Sequence, residues 1–119
     1  MSIKTFLLPA LLMAGALLTW PACNNDDDDP EAPACNLPGA TLTYSTNIKN
    51  IIDTYCISCH GGLGPGPDDY RTYEGMKSHL DEGHVLENVV INKTMPEGGG
   101  MPQAARDSIN CWIQAGYPK

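Results

Sequence analysis

The chain has 119 residues and carries 14 acidic against 7 basic side chains, a formal net charge of −7. That balance excludes the basic face that nucleic-acid binding requires, and the length allows one small folded unit with a thin core. Much of the excess charge sits near the start: without residues 1–34, nine acids and six bases remain, or −3.

Lys4 followed by the apolar stretch Phe6 to Leu18 reads as a signal peptide over residues 1–22. The stretch is too short to cross a bilayer as a helix. Trp20-Pro21-Ala22-Cys23, at its end, resembles a bacterial lipobox. That resemblance implies export, a lipid on Cys23 and a bacterial membrane as the place of anchorage, on its periplasmic or cell-surface side. Ordinary secretory cleavage, which would leave Cys23 a thiol, is the alternative.

Residues 23–34 follow as an acidic tether. Asn24 to Pro33 holds five carboxylates and two prolines and almost nothing apolar, so it cannot bury enough surface to fold. Fully extended, the run of eleven residues Asn24 to Ala34 reaches about 36–40 Å. It reads either as a plain spacer or as an acidic address resembling the surface-export signals of some lipoproteins.

The expected folded domain is residues 35–119, built from short helices joined by Gly/Pro loops. Ser45 or Thr46 is the expected cap of a first helix. Ile48, Ile51, Ile52 and Tyr55 follow at i, i+3, i+4 and i+7, one apolar face. At its C-terminal end stands Cys56-Ile57-Ser58-Cys59-His60.

Two cysteines two residues apart with a histidine directly after form the attachment signature of a c-type haem. Each thiol can add to one vinyl group of the porphyrin, and the imidazole that follows can bind the iron as proximal ligand. A zinc half-site would need a second close pair of ligands. His79, His84, Cys35 and Cys111 form no such pair in the sequence. A thioredoxin-like thiol pair belongs in a strand–helix alternation, and no strand pattern is present.

Gly61 to Pro67 must be loop, its glycines letting backbone approach a ring closely. Thr72 is the expected cap of a second helix carrying Tyr73, Met76 and Leu80, with Gly83 as its stop. Val85 to Ile91 is a short third helix or an extended run. Met95 to Pro102 is irregular, and a last helix begins near Pro102. It carries Ala105, Ile109, Trp112 and Ile113 and ends at Gly116. His79 and His84, beside Asp81 and Glu82, read as solvated surface groups.

So small a core needs a staple. With Cys23, Cys56 and Cys59 assigned, Cys35 and Cys111 remain near the two ends of the domain. Parity and an oxidising compartment predict a bridge between them, against two separate buried thiols.

The first helix, Cys56 to His60, Met95-Pro96-Glu97-Gly98-Gly99 and Trp112-Ile113-Gln114-Ala115-Gly116 together resemble the class I c-type cytochromes, in particular small bacterial exported mono-haem domains. The likeness spans roughly residues 42–118. It implies an all-α, cytochrome c-like bundle of short helices around one covalent haem c, with the first and last helices crossing. Ile51, Tyr55, Ile109 and Trp112 are the candidates for that crossing.

A second axial ligand is then expected opposite His60. Met95 opens the loop that matches the family, whereas Met101, its rival, falls where the last helix begins and reads as core. Met76, on a helical face, also reads as core. The implied function is one-electron transfer without catalysis, by a lipid-anchored monomer exchanging electrons with an exported dehydrogenase or an oxidase complex. Two alternatives remain: a haem enzyme or gas sensor with a labile sixth ligand, and an interaction lipoprotein whose motif is incidental.

Overall fold

The computed structural model describes residues 31–37 and 41–119. The expected signal peptide, Cys23 as the expected lipidation site and the acidic run Asp26–Asp29 lie outside the described residues. Among the described residues the fold is helical and contains no strand, only an isolated antiparallel bridge between Gly61 and Asp69. No helix in them is long and apolar enough to cross a membrane.

A π-helical turn, Tyr44–Ile48, leads directly into helix α1, Lys49–Tyr55. Its cap is Thr43, not Ser45 or Thr46: the Thr43 hydroxyl accepts from the Thr46 N–H at 3.3 Å. Thr43 is in extended backbone, as a cap must be, so the first turn is wound two to three residues earlier than expected. A single helical turn, α2, Ile57–His60, continues from α1 through Cys56.

Helix α3, Tyr73–Asp81, is capped by Thr72, whose hydroxyl accepts from the Gly75 N–H at 3.0 Å. Gly83, with φ of +77°, turns the chain at its far end. A π-helical segment, Leu86–Ile91, occupies the third region. The last helix, α4, Gln103–Gln114, starts immediately after Pro102. It ends in a Schellman arrangement, with Gly116 N–H on the Ile113 carbonyl and Tyr117 N–H on the Trp112 carbonyl.

Burial follows the apolar stripes. Ile48, Ile52, Met76, Ile109 and Trp112 are sealed from solvent. From the first helical stretch, Ile48 and Ile52 enter the buried cluster that also holds Ile109 and Trp112, while Ile51 and Tyr55 are partly buried against it. Trp112 is ringed by Tyr44, Tyr73 and Tyr117, and its Nε1 donates to the Pro118 carbonyl at 2.9 Å. The same carbonyl accepts from Tyr44 N–H at 2.9 Å, so one oxygen ties the first turn to the C-terminal tail. Loss of such a buried indole costs about 3–5 kcal/mol.

Cys35 and Cys111 form a disulfide with a Cα–Cα distance of 4.8 Å. Beside it the Pro33 carbonyl accepts from Asn110 Nδ2 and Gln114 Nε2, each at 2.7 Å. Pro33, which composition puts in the tether, thus already lies on α4.

Gly75 sits inside α3, where alanine is normally the better residue by about 1 kcal/mol. Here the sign should reverse. A Cβ on Gly75 would lie 1.9 Å from the backbone oxygen of Asp69, and neither helix nor loop backbone can yield cheaply. Gly75→Ala is expected to destabilise by about 1–3 kcal/mol in urea titration. A stabilised variant would show that the loop before α3 is free to move.

Candidate functional site: a sulfur- and imidazole-lined cavity

A cavity of about 610 Å³ opens between α1–α2 on one side and the Leu86–Pro96 stretch on the other. This lies within the range of small-molecule sites. Ile52, Met76, Val85, Val89 and Ile109 furnish apolar wall. Cys56, Cys59, His60, Met95 and Met101, the residues singled out in the sequence, all line it.

The two cysteines arrive there because α1 runs into α2 with only Cys56 between them. Cys59 is exposed and Cys56 half-buried. Burial pushes the Cys56 thiol up to about 11. A folded-state value above the unfolded one means that this thiol stabilises the unloaded fold at pH below about 9. That contribution is lost as pH rises through about 11. In the unloaded protein at pH 8–9, iodoacetamide should therefore label Cys59 well before Cys56. Labelling of Cys56 should accelerate toward pH 11, and urea should erase the difference. Equal rates in the folded chain at pH 8 would contradict the burial.

His60 is oriented by three neighbours. Its Nδ1 donates to the Pro67 carbonyl at 2.7 Å, which holds the proton on Nδ1 and leaves the Nε2 lone pair for a metal. Tyr70 stacks on one face, with centroids 4.4 Å apart and planes 7° from parallel. Gly66 covers the ring closely, since a Cβ there would lie 2.9 Å from two imidazole atoms. The loop that carries these neighbours is folded back by Gly66 N–H on the Cys59 carbonyl and Tyr70 N–H on the His60 carbonyl. Burial, then the charge of Asp68, pushes the Tyr70 phenol up to about 12.

Across the cavity, Met101 is buried in the core cluster, as the sequence suggests, and Met95 stands at the rim, 39 % exposed. The backbone of Met95 is held at both ends. Its N–H donates to the Asn88 carbonyl at 3.1 Å, and its carbonyl accepts from Arg106 Nη1 at 2.7 Å. Arg106 also donates to the Val89 carbonyl and is only 5 % exposed. Sequence reasoning missed Arg106, Pro67 and Tyr70. Arg106 had left a signal, since a charge stood three residues before Ile109 and seven before Ile113, on the inward face of α4.

His79 and His84 also line the cavity. His79 is not a solvated surface group: its side chain is 18 % exposed and its Nε2 lies 2.8 Å from Asp68 Oδ2. Chemically, the site offers two thiols, an imidazole nitrogen held free and two thioethers around an apolar void. These are soft and borderline metal-ligand donors set in an apolar lining. Compared with family models, curated proteins and solved structures, the chain has no match.

Proposed function

We propose that the cavity holds one haem c, bound covalently through Cys56 and Cys59 with His60 and Met95 on its iron, and that the protein is a one-electron carrier. The observation that carries this reading is the convergence of Cys56, Cys59, His60 and Met95 on one apolar cavity, with the His60 proton committed to Pro67. When bound, the group supplies reversible one-electron chemistry at iron. The residues of the chain attach, orient and enclose. Cys56 and Cys59 provide sulfur for two thioethers. Pro67 and Tyr70 hold the His60 ring. Arg106 and Asn88 fix the loop from which Met95 projects.

With His60 and Met95 both holding the iron, no position would remain for a substrate, and on this reading the protein would not be an enzyme. It belongs with the class I c-type cytochromes. Its expected setting is the exported side of a bacterial membrane, as a monomer lipid-anchored at Cys23. Its partners are redox proteins, an exported dehydrogenase or an oxidase complex, met in brief encounters over small interfaces.

The exposure of Met95 at the rim favours one second reading: a haem enzyme or gas sensor whose sixth ligand leaves readily. Both are tested by absorption spectra of the exported protein, oxidised and then reduced, with carbon monoxide added last. A c-type α-band, a ferric methionine–iron band and no carbon monoxide shift are expected of the carrier. A high-spin ferric spectrum, or ready carbon monoxide binding, would favour the enzyme or sensor. Absence of covalent haem would end both.

A further inference from the structure

The aromatic stack that begins at His60 continues away from it. Tyr70 meets His79 with centroids 5.4 Å apart, and His79 meets His84 at 5.6 Å. The second histidine pair arises locally. Helix α3 ends at Asp81, Glu82 caps it, and the positive φ of Gly83 folds His84 back beside His79. As a result His79 Nδ1 faces His84 Nδ1 at 3.4 Å, and His84 Nδ1 lies 3.3 Å from Glu82 Oε2. One donor atom from each of the three residues falls within 4.8 Å of the others.

The placement of the donor atoms suits a cation between them. His79 Nε2 is 2.8 Å from Asp68 Oδ2, so its proton is drawn to Nε2 and its Nδ1 presents a lone pair to His84. His84 Nδ1 faces that lone pair at 3.4 Å and Glu82 Oε2 at 3.3 Å, an arrangement that a proton on His84 Nδ1 would satisfy and that a cation displacing this proton would satisfy as well. Two nitrogens bound at about 2.0–2.1 Å to one tetrahedral ion stand about 3.4 Å apart, which is the separation found. The Asp68–His79 contact has the form of the outer-shell carboxylate that orients a metal-binding imidazole. The carboxylates of Asp68 and Glu82 together balance a double positive charge.

We infer that His79, Glu82 and His84 bind a divalent transition ion of borderline softness, Zn(II) or Cu(II), through the two Nδ1 atoms and a Glu82 oxygen. Two imidazoles and one carboxylate suit such ions and leave a fourth position to solvent. The inference does not depend on haem at His60.

The test is titration of the tag-free protein, as isolated, with Zn(II) by calorimetry. Wild type should bind one ion per chain. His84→Ala and Glu82→Gln, both at half-exposed side chains, should lose that binding while melting as wild type does. Asp68→Asn, which tolerates the positive φ of that position, should bind 10- to 100-fold more weakly. Cu(II) bound in place of zinc should show coupling to two nitrogens in its electron paramagnetic resonance spectrum. No saturable binding by wild type overturns the inference. So does undiminished binding in His84→Ala or Glu82→Gln, which would put the ion elsewhere, for example on Asp26–Asp29.

Discussion

Met95→Ala in the haem-loaded protein should abolish the ferric methionine–iron band. It should also lower the reduction potential by on the order of 0.2 V, within the roughly 0.8 V that axial ligands span. A thioether favours ferrous iron, and a replacement water or hydroxide does not. The expectation rests on the way Met95 is presented. Asn88 and Arg106 fix its backbone N–H and carbonyl, while its side chain stays at the cavity rim. Met101→Ala is the matched comparison. It should leave the band in place and cost about 2–5 kcal/mol of stability, as truncation of a core methionine does. A band that survives in Met95→Ala and disappears in Met101→Ala would transfer the sixth position to Met101.

Replacing Cys35 and Cys111 together by serine should destabilise the domain by about 4.5 kcal/mol, from the loop-entropy relation applied to a sequence separation of 76. A domain of this size has roughly 4–13 kcal/mol in all, so the loss is a large share of what holds it folded. Urea titration of both proteins at equal haem content measures it. A change below about 1 kcal/mol would mean that Pro33 on Asn110 and Gln114 already closes the loop without the bridge.

What was legible in the sequence is what neighbouring residues determine among themselves. Thr72 needs only the Gly75 N–H three residues on, and Gly83 and Gly116 need only a left-handed turn. The apolar stripes of α1 and α4 follow from helical period alone. The cap of the first helix escaped because Thr43, Ser45 and Thr46 are all competent caps. The choice falls with the Tyr44 N–H, which is held by the Pro118 carbonyl from the far end of the chain.

The surroundings of the site were hidden for a related reason. Pro67 on His60, Tyr70 on His60 and Asp68 on His79 arise from a glycine–proline loop without period, and each contact spans seven to eleven positions of the chain. Arg106 reaches 11 and 17 residues back to carbonyls, which no side-chain pattern announces. The cysteines and methionines of the cavity could be read because their chemistry is rare, but the groups that aim them could not.

The disulfide also decides how the domain responds to tension. A pull on the chain upstream of Cys35 passes across the Sγ–Sγ bond directly into α4. The 76-residue separation between the bridged cysteines would hide about 250 Å of contour length from any device stretching the two ends, until the bond is reduced. Every residue that frames the cavity, from Ile52 to Ile109, lies inside that shielded loop. Were the chain held by its N-terminal segment, drag would be borne by one covalent bridge and the last helix, and the loops around His60 and Met95 would stay out of the line of force.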